Sequence, residues 1–312
     1  MKKLLNNRVA LITGGARGVG LAIAEDLALH GCKIVIIDPG YTIDGNHDQK
    51  TLSDKVCENI SNKHNVETLA ITKDVSNDTE MKQSIEIIHK KFTHIDIVIN
   101  NAAILRDGFV FKYSISDWKK VIDTNLTGAF NIISNSSQIM RNQHKENNKY
   151  NHGRIINIIS TAGIWGNYAQ TAYASTKAAL TGLTRATALD LQRSNITCNA
   201  IAPFASTRVT ESIVPQNPAQ EKYKKVALKI KASYIGELCS FLCSDDGIKY
   251  SGQFFGVRSK EIFLFEQARP KWTFIRKESN LADIKKGFEK NFDNNLTPLE
   301  TDLEAFSNEP IL

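Results

Sequence analysis

The chain has 312 residues, 42% of them hydrophobic and 23% charged, which excludes a disordered chain and allows one large α/β domain or two small ones. The net charge of +6 is scattered in short clusters such as the KYKK of 222–225, a solvated basic surface that argues against a nucleic-acid partner and mildly favours polyanionic substrates. Five cysteines without a C-x-x-C and seven histidines without an H-x-x-x-H pair give no metal site and read as reduced core thiols of an intracellular protein.

The opening MKKLLNNRVALITGG runs straight into a strand and a glycine turn, so no secretory signal is expected. The closing EPIL is not a peroxisomal tripeptide, and no apolar run approaches the roughly 20 residues of a membrane span. A cytoplasmic location without membrane insertion is therefore expected. Apolar, β-branched runs at 8–13, 33–38, 67–72, 95–100, 154–160 and 196–202 predict strands covered on both faces. Helical patterns separate them; the first, LAIAEDLALHG, stops at Gly31. The polar stretch 141–153 predicts an exposed loop, and YIGELCSFLCSDD (234–246) a buried helix. Aromatics without a clear period follow from GQFFGV (252–257) onward. The alternation predicts a doubly wound parallel sheet of the Rossmann type with helices on both faces. Residues 1–255 are expected to form the nucleotide-binding domain, with 256–312 a C-terminal extension packed on it.

ALITGGARGVG joins the first strand to the first helix. Gly14, Gly18 and Gly20, with Val19 between the last two, let the backbone approach a pyrophosphate at the helix N-terminus. Asp38 ends the second strand, where a carboxylate accepts hydrogen bonds from the adenosine ribose and repels a 2′-phosphate. It favours NAD; Arg17, in the glycine loop, favours NADP, and Asp38 weighs more. Asp74 and Val75 follow the third strand and are expected beside the adenine, the alternative for Asp74 being an N-cap. In AYASTKAAL, Tyr173 and Lys177 are four apart and so share one helix face. A free tyrosine titrates near ~10, and a cation ~5 Å away at an effective dielectric of ~20 lowers that by roughly two units. Lys177 is therefore expected to make Tyr173 a usable base.

TGGARGVG (13–20), NNAA (100–103), Asn125 in DTNLTGAF, Ser160 and Tyr173-x-x-x-Lys177 together resemble the short-chain dehydrogenase/reductase family, over about residues 5–255. The resemblance implies an oxidoreductase with Tyr173 as general acid/base and Lys177 also binding the nicotinamide ribose. Ser160 would bond the substrate oxygen, and Asn125 would hold a water linking Lys177 to solvent. Asn100 and Ala102 would lie against the cofactor, and Pro203, Ala205 and Ser206, on toward Arg208, would meet the nicotinamide amide. The family pattern is broken at Ala103 and Phe204, where glycine is usual. Stretches such as GIWGNYAQTAY, NAIAPFASTRVT and the tail from 252 resemble the (3R)-hydroxyacyl-CoA dehydrogenase subfamily found in peroxisomal multifunctional enzymes of type 2. That implies oxidation of a (3R)-3-hydroxyacyl-CoA by NAD in a homodimer or homotetramer. The alternatives are an NADPH-dependent carbonyl or 3-oxoacyl reductase, and a silent nucleotide-binding scaffold.

Overall fold

The computed structural model describes residues 3–46, 49, 51–206, 211, 218–306 and 308–312. Eight strands form one sheet: β1 (Val9–Thr13), β2 (Lys33–Ile37), β3 (Thr68–Ile71), β4 (Ile97–Asn100), β5 (Arg154–Ile158), β6 (Thr197–Phe204), β7 (Phe254–Arg258) and β8 (Glu261–Leu264). They lie in the order β3-β2-β1-β4-β5-β6-β7-β8, parallel except for β8, which runs antiparallel along β7. The sheet is thus doubly wound, with one antiparallel edge strand that the expectation of a parallel sheet did not include. The 255/256 division falls inside β7, whose pairing with β6 continues to Arg258.

The central strands feed two cores, which is why their sequences are apolar without alternation. On one face Ala10, Ile12, Ile34 and Ile36 pack against the helices α1 (Gly18–Leu29), α2 (Leu52–His64) and one at Ser233–Cys243. On the other, Val9, Leu11, Val35 and Ile37 meet the helices α3 (Asp78–Phe92), α5 (Gly128–Glu146) and α7 (Thr171–Leu191). Fully burying one such Ile or Leu contributes about 1.5–3 kcal/mol. All five cysteines are buried in these cores as free thiols.

Between α3 and α5 lie α4 (Ile115–Ile122) and a π-helical turn, Asp123–Thr127. The short α6 (Ala162–Trp165) follows β5. The predicted loop 141–153 begins as helix, since α5 continues to Glu146 with His144 and Lys145 favourably placed in its last turn. Strand order reverses between β1 and β4, and the carboxyl ends of the strands there open the crevice that α/β sheets use for ligands.

Candidate active site

The glycine turn is shaped by close contact. Gly14 has φ +62°, and a Cβ on it would lie 2.9 Å from the Cα of Ala102. Gly20 opens α1 against the Gly14 carbonyl and the Asn101 side chain, leaving no room for a methyl group. Asn101 Nδ2 donates to the carbonyls of Thr13 (3.1 Å) and Gly14 (2.9 Å), and Thr13 Oγ1 accepts from the amides of Asn101 and Ala102, both at 3.1 Å. These bonds lock the end of β1 to the end of β4. No side chain caps α1, and its first turn has no acidic residue. Its positive end, around Gly18, Val19 and Gly20, thus suits a pyrophosphate. Asn101 was not singled out from the sequence, although NNAA held the signal.

Asp38 Oδ2 accepts from Ala16 N (3.1 Å) and Oδ1 from Gly40 N (2.8 Å), so its carboxylate faces the glycine turn. Arg17 Nη1 donates to Tyr41 O at 3.1 Å, on the segment that follows Asp38. The Tyr41 hydroxyl bonds Asp74. Asp74 caps no helix; its Oδ1 accepts from Ser76 N and Oγ, and the N-cap of α3 is Asn77. Val75 is buried, its carbonyl held by Asn131 Nδ2 at 3.0 Å.

Asn100 Nδ2 donates to Asn157 Oδ1 (2.9 Å), the register partner on β5, and Asn157 donates on to Thr184 Oγ1 (2.9 Å) of α7. The buried Asn100 Oδ1 has no hydrogen-bond partner among the described residues. This ladder ties the central strands to α7, which carries Tyr173 and Lys177. Lys177 is buried, and its Nζ donates to Ile158 O at 2.7 Å while lying 5.6 Å from the Tyr173 ring centroid. Burial lowers its pKa to about 8. Tyr173 departs from expectation: burial pushes its hydroxyl up to about 12, the hydrogen bond with Ser160 pulls down, and the charges of Asp302 and Asp107 push up. Desolvation is the largest cause of the rise, and the Lys177 Nζ is bonded to Ile158 O.

Ser160 Oγ accepts from Ala162 N at 3.2 Å, which leaves its own proton directed elsewhere. Asn125 sits in the π-turn, a feature frequent at functional sites. Its Oδ1 accepts from Ile104 N (2.8 Å) and its Nδ2 donates to Ile104 O (3.0 Å). The side chain expected to hold a water is therefore committed to the backbone after β4. Pro203 and Phe204 end β6, and Ser206 N donates to Ile230 O at 2.9 Å. Thr207 and Arg208, the rest of the expected loop, lie outside the described residues. Thr161 and Asp302, which bond each other at 2.8 Å beside Ser160, carried no signal in the sequence.

The model of the short chain dehydrogenase family matches residues 8–218. The chain belongs to the short-chain dehydrogenase family. A 3-oxoacyl-(acyl-carrier-protein) reductase of Synechocystis sp. is 36% identical over 257 residues, covering 81% of this chain and 96% of the relative. Peroxisomal multifunctional enzyme type 2 of Drosophila melanogaster is 34% identical over 242 residues, covering 78% of this chain and 38% of the relative. A crystal structure of a short chain dehydrogenase from Mycobacterium avium superposes with a TM-score of 0.79 at 26% identity, covering 96% of this chain and 99% of that one. As a short-chain dehydrogenase, the protein is an oxidoreductase that acts on an alcohol or carbonyl group of a small molecule with a nicotinamide cofactor. Among the described residues no helix is long and apolar enough to cross a membrane, and no His, Cys, Asp and Glu side chains cluster as a metal site would.

Proposed function

We propose that the protein interconverts a (3R)-3-hydroxyacyl-CoA and its 3-oxoacyl form with NAD. The observation that carries this reading is the convergence of Ser160, Tyr173 and Lys177 at the end of β5, across the crevice from the Asp38 carboxylate. The residues fit a dinucleotide: the glycine turn leaves the positive end of α1 uncapped, and the orphaned Asn100 Oδ1 is a buried acceptor awaiting a donor. Gly14 to Gly20 would hold the pyrophosphate, Asp38 the ribose, Asp74 and Val75 the adenine, and Asn100 and Ala102 the nicotinamide half. Lys177 would hold the nicotinamide ribose, and Pro203, Ala205 and Ser206 the amide.

When bound, the nicotinamide supplies the hydride acceptor in oxidation and the hydride donor in reduction. Ser160, which accepts from the Ala162 amide and is hydrogen-bonded with Tyr173, would donate its proton to the substrate oxygen. Tyr173 would take the hydroxyl proton as phenolate in oxidation, becoming the phenol, and as the phenol would give its proton to the oxygen in reduction. Lys177 holds its charge beside the phenol. Asn125 anchors the strand-end segment through Ile104 and positions rather than reacts. Fixed positions for the oxygen and the hydride present one face of the carbon, so one enantiomer dominates.

A second reading, 3-oxoacyl reduction with NADPH, is favoured by Arg17, whose side chain lies over the segment after Asp38, and by the similarity to 3-oxoacyl-(acyl-carrier-protein) reductase. A matrix of NAD or NADP against each enantiomer of 3-hydroxybutyryl-CoA, and of NADH or NADPH against acetoacetyl-CoA, separates the two. Turnover of the (3R) form with NAD is expected. Activity with NADPH alone would promote the second reading, and inertness toward every thioester would end both.

A further inference from the structure

The segment after β2 does not stay on its own side of the sheet. Ile43 O accepts from Leu105 N at 2.9 Å and Asp44 O from Arg106 Nε at 2.9 Å, so its tip sits on the segment that leaves β4. β1 lies between β2 and β4. The route from Asp38 to Ile43 therefore crosses the carboxyl end of β1, where the glycine turn begins. Two strand spacings make about 10 Å, and the residues from Asp38 to Ile43 span at most about 16–18 Å, which leaves slack to arch over the turn.

The seat under the tip depends on a glycine. Gly45 is buried with φ +82°, and a Cβ on it would lie 3.1 and 3.2 Å from the Ile104 side chain and 3.3 Å from Lys120 Cε. The missing side chain lets the tip close on Ile104, whose backbone N and O are both held by Asn125. Arg106 is fixed in turn by an ion pair with Asp117 of α4. The tip also holds itself together. Thr42 N donates to Asn46 O (2.8 Å), Gly45 N to Thr42 O (3.0 Å) and Asn46 N to Thr42 Oγ1 (3.0 Å). These internal bonds survive if the tip lifts, while the bonds to Leu105 and Arg106 are ordinary ones of modest net strength.

We propose that Tyr41–Asn46 is a strap across the nucleotide crevice, seated on Ile104, Leu105 and Arg106, whose lifting admits and releases the dinucleotide. The strap's role rests on the reading of the glycine turn and Asp38 as the dinucleotide site, and it is independent of the substrate. The consequence is kinetic. A seated strap obstructs both directions of traffic, so loosening the seat speeds entry and exit together and changes the dissociation constant less than either rate. Loss of a side chain that merely touches the nucleotide would speed exit and leave entry alone.

Two substitutions loosen the seat by different means. Gly45→Ala sets a methyl group against Ile104 at a positive φ. Arg106→Met removes the donor to Asp44 O and keeps an apolar stem. Stopped-flow fluorescence of NADH and of NADPH gives entry and exit rate constants for the wild type and each variant, without substrate, and circular dichroism checks the fold. Both rate constants are expected to rise about threefold or more in each folded variant, the effect of one ordinary hydrogen bond. If Gly45→Ala fails to fold, Arg106→Met decides alone. Entry that is unchanged or slower in any folded variant, whatever exit does, would overturn the strap and leave the dinucleotide site in place. A wild type that binds neither nucleotide would end the cofactor reading and the strap with it.

Discussion

Burial at α7 turns two ordinary side chains into unusual ones. Tyr173→Phe keeps the ring and its packing and removes only the group that exchanges a proton. It is expected to leave less than about a tenth of wild-type kcat, a loss above ~1.4 kcal/mol, with cofactor affinity and fold unchanged. Steady-state assay beside a cofactor titration checks it, and a variant that keeps more activity removes Tyr173 from the mechanism. Lys177 supplies a prediction of its own. Its pKa in the folded chain is about 8, below the 10.5 of the free group, because burial disfavours the ammonium. Between those values the unfolded chain binds more protons than the folded one, so unfolding free energy must rise with pH across the window, by up to roughly 3 kcal/mol. Urea unfolding of the cofactor-free wild type and Lys177→Met at pH 7 to 10 measures this. The wild type gains on the variant as pH rises. A constant difference between them would show that Lys177 titrates normally. The Tyr173 contribution has the opposite sign and begins only above pH 10, since its raised pKa makes the folded state keep a proton that the unfolded state loses.

At the level of elements, legibility follows from how local the cause is. The central strands were readable because both faces are covered, so Val9 to Thr13 and Lys33 to Ile37 are apolar almost throughout. The Tyr173–Lys177 pair was readable because four residues make about one helical turn. β7 and β8 were not, because Gly256 interrupts the first and in the second only Glu261 and Phe263 are partly buried, with Ile262 and Leu264 exposed. The π-turn was invisible, since its cause is the tertiary pairing of Asn125 with Ile104. The Asp302–Thr161 bond joins positions 141 apart, beyond any local pattern. The glycine turn lies between these extremes: its motif is local, and its reason is the neighbouring strand. A Gly20→Ala methyl would meet the Gly14 carbonyl and Asn101 Nδ2 and push the turn away from β4. Nicotinamide binding is expected to weaken more than tenfold, with stability falling by about 1–3 kcal/mol. Cofactor fluorescence titration and thermal melts check this, and unchanged affinity would mean that the turn's approach to β4 does not govern binding.

For the whole molecule, apolar side chains remain exposed on the outer helices as well as on the edge strand β8. On α5 and α7, which pack together, Phe130 is 54% exposed and Leu189 70%. A Cβ added at Gly182, also on α7, would meet nothing within 4 Å. The chain's own helices therefore do not use the small residue that permits close approach there. Exposed apolar side chains and a small residue open to solvent on neighbouring helices suit the self-complementary contact of a two-fold dimer. The family resemblance implies the same pairing of these two helices across a two-fold. A dimer through α5 and α7 is the expected state, and Leu189→Arg would place two like charges near the axis and remove apolar contact from both copies. Sedimentation at micromolar concentration should give dimeric mass for the wild type and monomeric mass for the variant, with circular dichroism unchanged because Leu189 is not part of either core. A monomeric wild type would refute the dimer. A dimeric wild type that Leu189→Arg leaves intact would move the interface elsewhere, with the outward-facing Ile262 and Leu264 of edge strand β8 the next surface to substitute.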